Sequence, residues 1–401
     1  MGFIAKVRRE NSREVRGFEV RVGGGLSTMP RKADVVWEFA RADNGEYIRV
    51  AEACLKVFDK EGGLPNLLRK NMNKARVKFL VHKIGIDEFR KQVEEELAQP
   101  WAWEPLDMEA LMQLAPEGPT PGGPAKNGQQ PPPDLERWQR TNVRAQKQPG
   151  YVAVTVTVPL GNLSPEQFRG LAEVMRRYSG GTARTQQNQN LVLRWVREDA
   201  LPALHAELSA LGLGAPDAGL IADVVACPGT DSCKLGITSS QGVGRAISEA
   251  VASWGIDDDP LVQAIPIKAS GCPNGCGQHH LAGIGLQGAS FKVGEREIPC
   301  FDIFLGGGNY IGGGRYATRV TRVPSKKVPQ VIRKIIQVYQ EQRQEGEPFL
   351  DFLDRFGAKN FDPILNEFKD VGPVHEEIDT YMDWGTEELF RIIRGEGECA
   401  V

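Results

Sequence analysis

Four of the seven cysteines stand in two closely spaced pairs, Cys227 with Cys233 in ACPGTDSCKLG and Cys272 with Cys276 in SGCPNGCGQ, and 38 residues separate the pairs. Both pairs sit among Pro and Gly, in segments that read as short loops from which side chains can converge. Four thiolates in a two-plus-two arrangement suit one inorganic centre, and a fold that brings them to it must hold two distant loops side by side. Zinc knuckles favour tighter pairs, typically about two to four residues apart. The x5 gap between Cys227 and Cys233 fits that pattern poorly, and an iron–sulfur cubane, which spans more space, fits better; structural zinc and unrelated buried cysteines stay as alternatives. Cys54 falls on an amphipathic pattern with Val50, Leu55 and Phe58 and reads as core; Cys300 reads as structural at the start of a strand; Cys399 in GEGECAV reads as exposed by position. An odd cysteine count without an export signal argues against a disulfide framework and for a reducing cytoplasm.

The 401 residues, 41% of them hydrophobic, suffice for one or two sizeable cores. Lys and Arg number 49 against 52 Asp and Glu, a net charge of −3, which argues against nucleic acid as a partner. No apolar run approaches the roughly 18 residues of a membrane span. The opening MGFIAKVRRENSREVRGFEV has no apolar h-region, so neither a membrane anchor nor a secretory signal is expected. Residues 115–134, with seven prolines and four glycines, cannot build a core and read as a tether.

Beyond the tether, YVAVTVTV (151–158) alternates strictly, placing Val152, Val154, Val156 and Val158 on one face of a strand. Ser164-Pro165-Glu166-Gln167 is a helix start with a capping box, followed by Phe168, Leu171, Val174 and Met175 on one helical face. NLVLRWV (190–196) reads as a second strand, and Leu201, Leu204, Leu208 and Leu211 as a second helix ended by Gly212. This β-α-β-α order predicts a small α/β sandwich of ferredoxin-like type.

The chain also repeats itself. FEVRVGGG from Phe18 aligns with FDIFLGGG from Phe301, and Phe79-Leu80, Ile84-Gly85 and Phe89 align with Phe352-Leu353, Phe356-Gly357 and Phe361. Two matches in the same order point to duplication. The second copy is preceded by residues 151–283, for which the first copy has no counterpart.

These residues carry a family resemblance. ACPGTDSCKLGI and IKASGCPNGCGQHHLAGIGLQG resemble the cluster loops of sirohaem-dependent nitrite and sulfite reductases, in which C-x5-C followed by C-x3-C is a specific signature. GGTARTQQNQNLVLRWV resembles that family's Arg-rich strand and LGGGNYIGGGRYATRVTRVP its glycine loop; residues from GFEVRVGGGLSTMP to ARVKFLVHKIGIDEFRKQVE resemble the back of its first half-repeat. The resemblance implies an α+β, pseudo-twofold architecture: residues 1–100 as the back part of a first sirohaem-type half-domain, 101–134 as linker, 135–215 as a ferredoxin-like domain, 216–370 as the cluster and sirohaem domain, and 371–401 as a tail.

It further implies that Cys227, Cys233, Cys272 and Cys276 hold a [4Fe–4S] cluster, with Cys276 also bridging to the sirohaem iron. Sirohaem carries eight carboxylates and calls for cationic and amide donors. Arg184, Asn188 and Gln189 on the strand motif, Asn274 between two cysteines, and Arg315 and Arg319 after the glycine loop are the candidates. The implied reaction is the six-electron reduction of nitrite to ammonia or sulfite to sulfide, with ferredoxin or a similar low-potential donor. The family's substrate-binding cations belong to the front of the first half, which has no counterpart here. A truncated chain, a separate chain supplying that half, or a subunit holding cofactor or passing electrons without turnover is therefore a further expectation. A dinucleotide fold is not expected, because neither glycine run fits G-x-G-x-x-G before a helix. His279 and His280 are weaker candidates for the cofactor edge, Arg69, Lys70, Lys74, Arg76 and Lys78 read as a solvated basic face or, as the alternative, a surface for an acidic electron donor such as ferredoxin, and Lys326 and Lys327 as a solvated helix start.

Overall fold

The computed structural model describes residues 1–62, 75–111, 117–119, 133–310 and 313–393. The chain divides into two compact units, residues 1–115 and 116–394.

In the first unit, strands β1 (Gly2–Glu10), β2 (Arg13–Val22) and β3 (Asp34–Arg41) form an antiparallel sheet in that order. Helices α1 (Glu46–Gly62), α2 (Val77–Ile84) and α3 (Ile86–Leu97) pack on it, enclosing Val20, Val36, Cys54, Leu80 and Phe89. Cys54 is a core residue, and burial pushes its thiol up to about 12. Lys78 departs from the solvated basic face. It is buried, and its Nζ donates to the carbonyls of Leu26 at 2.6 Å and Met29 at 3.1 Å, so the ammonium staples α2 to the loop after β2. Arg69, Lys70 and Lys74 lie outside the described residues.

The second unit opens with α4 (Leu135–Asn142) and an antiparallel sheet of β4 (Val143–Ala145), β5 (Tyr151–Val156), β6 (Arg184–Thr185) and β7 (Leu191–Arg197), ordered β4-β5-β7-β6. The inward valines of β5 meet α5 (Pro165–Tyr178) and α6 (Leu201–Ala210) in one core around Trp138. The capping box forms as expected: Ser164 Oγ accepts from the Gln167 N–H, and Gln167 Oε1 from the Ser164 N–H. Phe168 does not join that core; it is 66% exposed, in the first turn of α5, beyond the buried stripe of Leu171, Val174 and Tyr178.

A larger sheet follows, built from β8 (Val225–Ala226), β9 (Ile267–Ser270), β10 (Ile284–Val293) and β11 (Arg296–Leu305), with a short ribbon of β12 (Gly308–Tyr310) and β13 (Gly313–Arg315) before its last strand, β14 (Thr318–Pro324). Its order is β14-β11-β10-β9-β8, with β8, β9 and β10 mutually parallel. Helices α7 (Ser240–Val251), α8 (Val328–Gln342) and α9 (Phe349–Phe356) cover it. Cys300 lies inside β11 rather than at its start and is fully buried.

The duplication is legible in register. Gly2 pairs with Arg21 and Gly285 with Phe304, a shift of 283 on both strands, and it holds through Glu10 with Arg13 and Val293 with Arg296. Each hairpin gains a third antiparallel strand, β3 or β14, then a long helix, α1 or α8. A short apolar helix follows, α2 or α9, ending on a glycine of positive φ: Gly85 at 84° and Gly357 at 89°. The copies differ on the other edge, where β10 is paired with β9 while β1 is exposed along all nine residues.

The segment read as a tail is packed in part, although Ile378, Leu389 and Ile393 are exposed. Thr380, Tyr381 and Asp383 are buried, and Met382 bridges to Leu389. Cys399 lies outside the described residues. Among the described residues no helix is long and apolar enough to cross a membrane.

Candidate metal centre

The two cysteine loops meet because their strands are neighbours. Strands β8 and β9 run parallel, with Ala226 opposite Ala269, so the chain leaves both at the same end of the sheet. Cys227 is the first residue past β8 and Cys272 the second past β9. The Cys227 N–H donates to the Ala269 carbonyl at 3.1 Å, and the Gly271 N–H points at Cys227 Sγ at 3.2 Å. The Cys233 N–H closes its own loop on the Gly229 carbonyl at 2.9 Å.

Glycines let these backbones interlock. A Cβ on Gly271 would stand 2.5 Å from the Thr238 carbonyl oxygen and 2.8 Å from Gly229 Cα. One on Gly277 would stand 1.9 Å from the Ala269 oxygen, and one on Gly288 2.3 Å from the Gly271 oxygen. Only residues without a side chain permit such approach.

All four thiols share one neighbourhood. Burial pushes the Cys272 thiol up, the Asn274 backbone N–H opposes this, and the thiols of Cys227, Cys276 and Cys233 each add to the rise. Cys227 and Cys272 are buried, whereas Cys233 and Cys276 are exposed. Among the described residues no three His, Cys, Asp or Glu side chains are drawn together tightly enough to hold one metal ion. A zinc ion bonds each thiolate at about 2.3 Å and needs that tight convergence. Four thiols brought to one neighbourhood by two loops are the donor set a [4Fe–4S] cluster takes.

A cavity of about 800 Å³ is lined in part by Gln186, Asn188, Lys268, Gly283, Gly307 and Gly308, and none of the four cysteines is in its lining. That volume is within the range of cofactor sites. Asn188 Oδ1 is buried there without a hydrogen-bond partner among the described residues. Lys268 Nζ donates to Gln278 Oε1 at 3.0 Å, and burial pulls its pKa down. Sequence reasoning passed over Lys268, although a single lysine in the otherwise buried strand IKAS was the available signal. Gln189 is placed differently from Asn188. Its amide brackets the backbone of Ala226, donating to the carbonyl at 2.7 Å and accepting from the N–H at 2.9 Å, which fixes the residue before Cys227.

The three arginine candidates are each paired with a carboxylate. Arg184, exposed on β6, shares Glu117 with Arg194. Arg315 grips Asp354 through two bonds of 2.8 Å. Arg319 joins Arg322 on Asp302 of β11, a carboxylate only 3% exposed. Burial alone would push Asp302 up, but hydrogen bonds from Arg322 and Arg319 outweigh it and hold the group below its ordinary value. A carboxyl depressed in the fold stabilises above its ordinary value and loses that contribution as pH falls through its folded pKa. Asp302→Asn is expected to lower the urea-unfolding free energy by about 2 kcal/mol at neutral pH, below the usual cost of breaking a buried pair because both guanidiniums reach solvent. The difference from wild type should shrink below about pH 4; a pH-independent difference would show that charge is not the cause.

His279 and His280 are core rings. His279 Nδ1 lies 2.8 Å from Ser270 Oγ, and the ring packs against His280 and Phe304. Burial, and then the neighbouring His280, pull its pKa down to about 3, leaving it neutral. Lys326 and Lys327 are likewise engaged: Lys326 Nζ lies 4.4 Å from the Trp384 ring centroid, and Lys327 Nζ donates to the Asp370 carbonyl at 2.6 Å.

A duplicated α+β fold with four cysteines converging at the ends of two parallel strands defines a class of iron–sulfur redox protein. Residues 1–101 and 218–369 match the nitrite and sulphite reductase 4Fe-4S domain, and residues 144–211 match the nitrite/sulfite reductase ferredoxin-like half domain. The chain belongs to the nitrite and sulfite reductase family, whose cofactors are a [4Fe–4S] cluster and sirohaem. It is 28% identical over 347 residues to ferredoxin–nitrite reductase of Synechococcus elongatus, covering 86% of this chain and 57% of that one. It is 29% identical over 356 residues to sulfite reductase [ferredoxin] 1 of Mycolicibacterium paratuberculosis, covering 88% and 58%. The solved structure of Mycobacterium tuberculosis NirA protein superposes with a TM-score of 0.68 at 27% identity, over 89% of this chain and 60% of that one. The chain thus spans somewhat more than half the length of these relatives.

Proposed function

We propose that this chain is the cluster-holding portion of an oxidoreductase that reduces nitrite to ammonia or sulfite to sulfide, taking six electrons from ferredoxin or a similar low-potential protein in the cytoplasm. The observation that carries the reading is the meeting of both cysteine loops at one end of the β8–β9 pair, interlocked through glycines. Cys227, Cys233, Cys272 and Cys276 would hold the cluster, and the exposed Cys276 would face the sirohaem iron. Bound together, the two cofactors supply stored electrons beside an iron that can take an oxyanion. The protein's part is to hold and exclude. The buried Cys227 and Cys272 keep water from the inner face of the centre. The Gly271 backbone N–H points at Cys227 Sγ, and that of Asn274 favours the ionised form of Cys272 against the burial that opposes it. Asn188 and Lys268 offer an amide and an ammonium to a carboxylate-bearing ligand in the cavity they line, and Arg184, Arg315 and Arg319 would add cations by exchanging their present partners.

A second reading is favoured by the span of the match, since the chain covers 57% of the nitrite reductase relative. In it, the chain holds cofactor or passes electrons, and a separate polypeptide supplies the remaining half and its substrate-binding cations. Anaerobic reconstitution with iron, sulfide and sirohaem separates the two. Haem and cluster absorbance with consumption of nitrite or sulfite by a reduced viologen supports turnover by this chain. Cluster absorbance without turnover supports the second reading, and a colourless chain holding one zinc defeats both.

A further inference from the structure

The family match ends at residue 369, yet residues 380–393 pack back onto the outer cysteine loop. Asp383 is the anchor. It is 5% exposed, and its Oδ2 accepts from the Ser239 N–H at 2.7 Å. Its Oδ1 accepts from its neighbour's N–H on Trp384 at 2.9 Å and from Ser325 Oγ at 3.3 Å. Ser239 caps α7 and also donates through Oγ to Asp231, which lies between Cys227 and Cys233. Ser240, the next residue, donates to the Cys227 carbonyl at 2.8 Å and lies 3.2 Å from its Sγ. Asp383 therefore holds the Ser239–Ser240 step, whose side chains reach Asp231 and Cys227 of the Cys227–Cys233 loop. Trp384 locks the contact: its Nε1 donates to the Ser325 carbonyl at 3.2 Å, and a Cβ on Gly242 would stand 2.2 Å from Trp384 Cβ. Leu389 and Phe390 form the far wall of a recess of about 830 Å³ whose near wall is Cys233, Lys234 and Ile237.

We propose that residues 380–393 are a strap that fixes the Cys227–Cys233 loop, with Asp383 as its positioning residue. The inference rests on the reading that the four cysteines hold a cluster. Release of iron requires the exposed loop to open, and every buried tie that must break first lowers the open population. A hydrogen bond to a buried carboxylate is among the stronger ties available.

The test is loss of visible absorbance from the anaerobically reconstituted full chain under excess ferrous chelator. Asp383→Ala and Trp384→Ala are expected to lose the cluster about tenfold faster than wild type, and Asp383→Asn, which keeps one acceptor oxygen, at an intermediate rate. Glu376→Ala, at an exposed position just before the strap, should match wild type. If Asp383→Ala does not fold, Asp383→Asn and Trp384→Ala decide. Variants that lose the cluster at the wild-type rate overturn the strap alone; a wild-type chain that takes up no iron overturns the cluster reading and the strap with it.

Discussion

A chain carrying Cys272→Ser is expected to bind less than about one-tenth of the iron of the reconstituted wild type and to lose its thiolate-to-iron absorbance, while its far-ultraviolet circular dichroism stays unchanged. Cys272 is one of the two buried thiols of the four, two residues past β9 and within electrostatic reach of the other three. A cluster has no water at this inner face to replace a missing sulfur, and a serine hydroxyl ionises far less readily than a thiol. The fold does not depend on the thiol itself, since the loops are already held by the Cys227–Ala269 backbone bond and by the Ile237 and Thr238 N–H groups on the Gly271 carbonyl. The control is Cys54→Ser, in the core of the other unit, which should cost stability but no iron. Full iron content in Cys272→Ser would remove this cysteine from the ligand set.

Gly271→Ala is expected to cost about 2 kcal/mol of stability in the iron-free chain and more than half of its iron on reconstitution. One methyl there meets two pieces of backbone, the Thr238 carbonyl at 2.5 Å and Gly229 Cα at 2.8 Å, and neither can swing aside as a flexible side chain could. Relief requires the two loops to separate, which lengthens the Gly271 N–H contact with Cys227 Sγ and spreads the four sulfurs. Gly2→Ala, where nothing lies within 4 Å, is the matched control and should be silent in both measurements. Urea unfolding and iron content in parallel read the result, and a stable Gly271→Ala chain with full iron would show that the interlocked glycines do not set the spacing.

Both expectations depend on a juxtaposition that the cysteine spacing foreshadowed but did not explain. The spacing argued for convergence; the parallel pairing of β8 with β9 causes it. Strand and helix assignments between 151 and 212 were readable because β5 alternates and α5 carries its own start signal, both local properties of the chain. The duplication was readable for a similar reason, as short apolar and glycine patterns survive where each copy must build the same hairpin. Polar residues were where local reading failed. Lys78 looked like one charge among several on a basic face, but a helix face is solvated only if nothing packs over it, and two loop carbonyls wait above this one. Gln189, a neighbour of Asn188 in sequence, turns to the Ala226 backbone while Asn188 borders the cavity, a difference that follows from the positive φ of 69° at Gln189.

The sequence by itself determined the pairing of the cysteines along the chain, the repeat and the order of local elements, since these rest on residue identity, spacing and periodicity. The tertiary structure alone decided which charges are paired, which histidines are core, and that the stretch through Asp383 closes on the outer cysteine loop. The physical reason is that desolvation and hydrogen-bond satisfaction depend on what lies across a gap of a few ångströms, and the residues that fill such a gap, as Asp383 does for Ser239, stand far away in the chain.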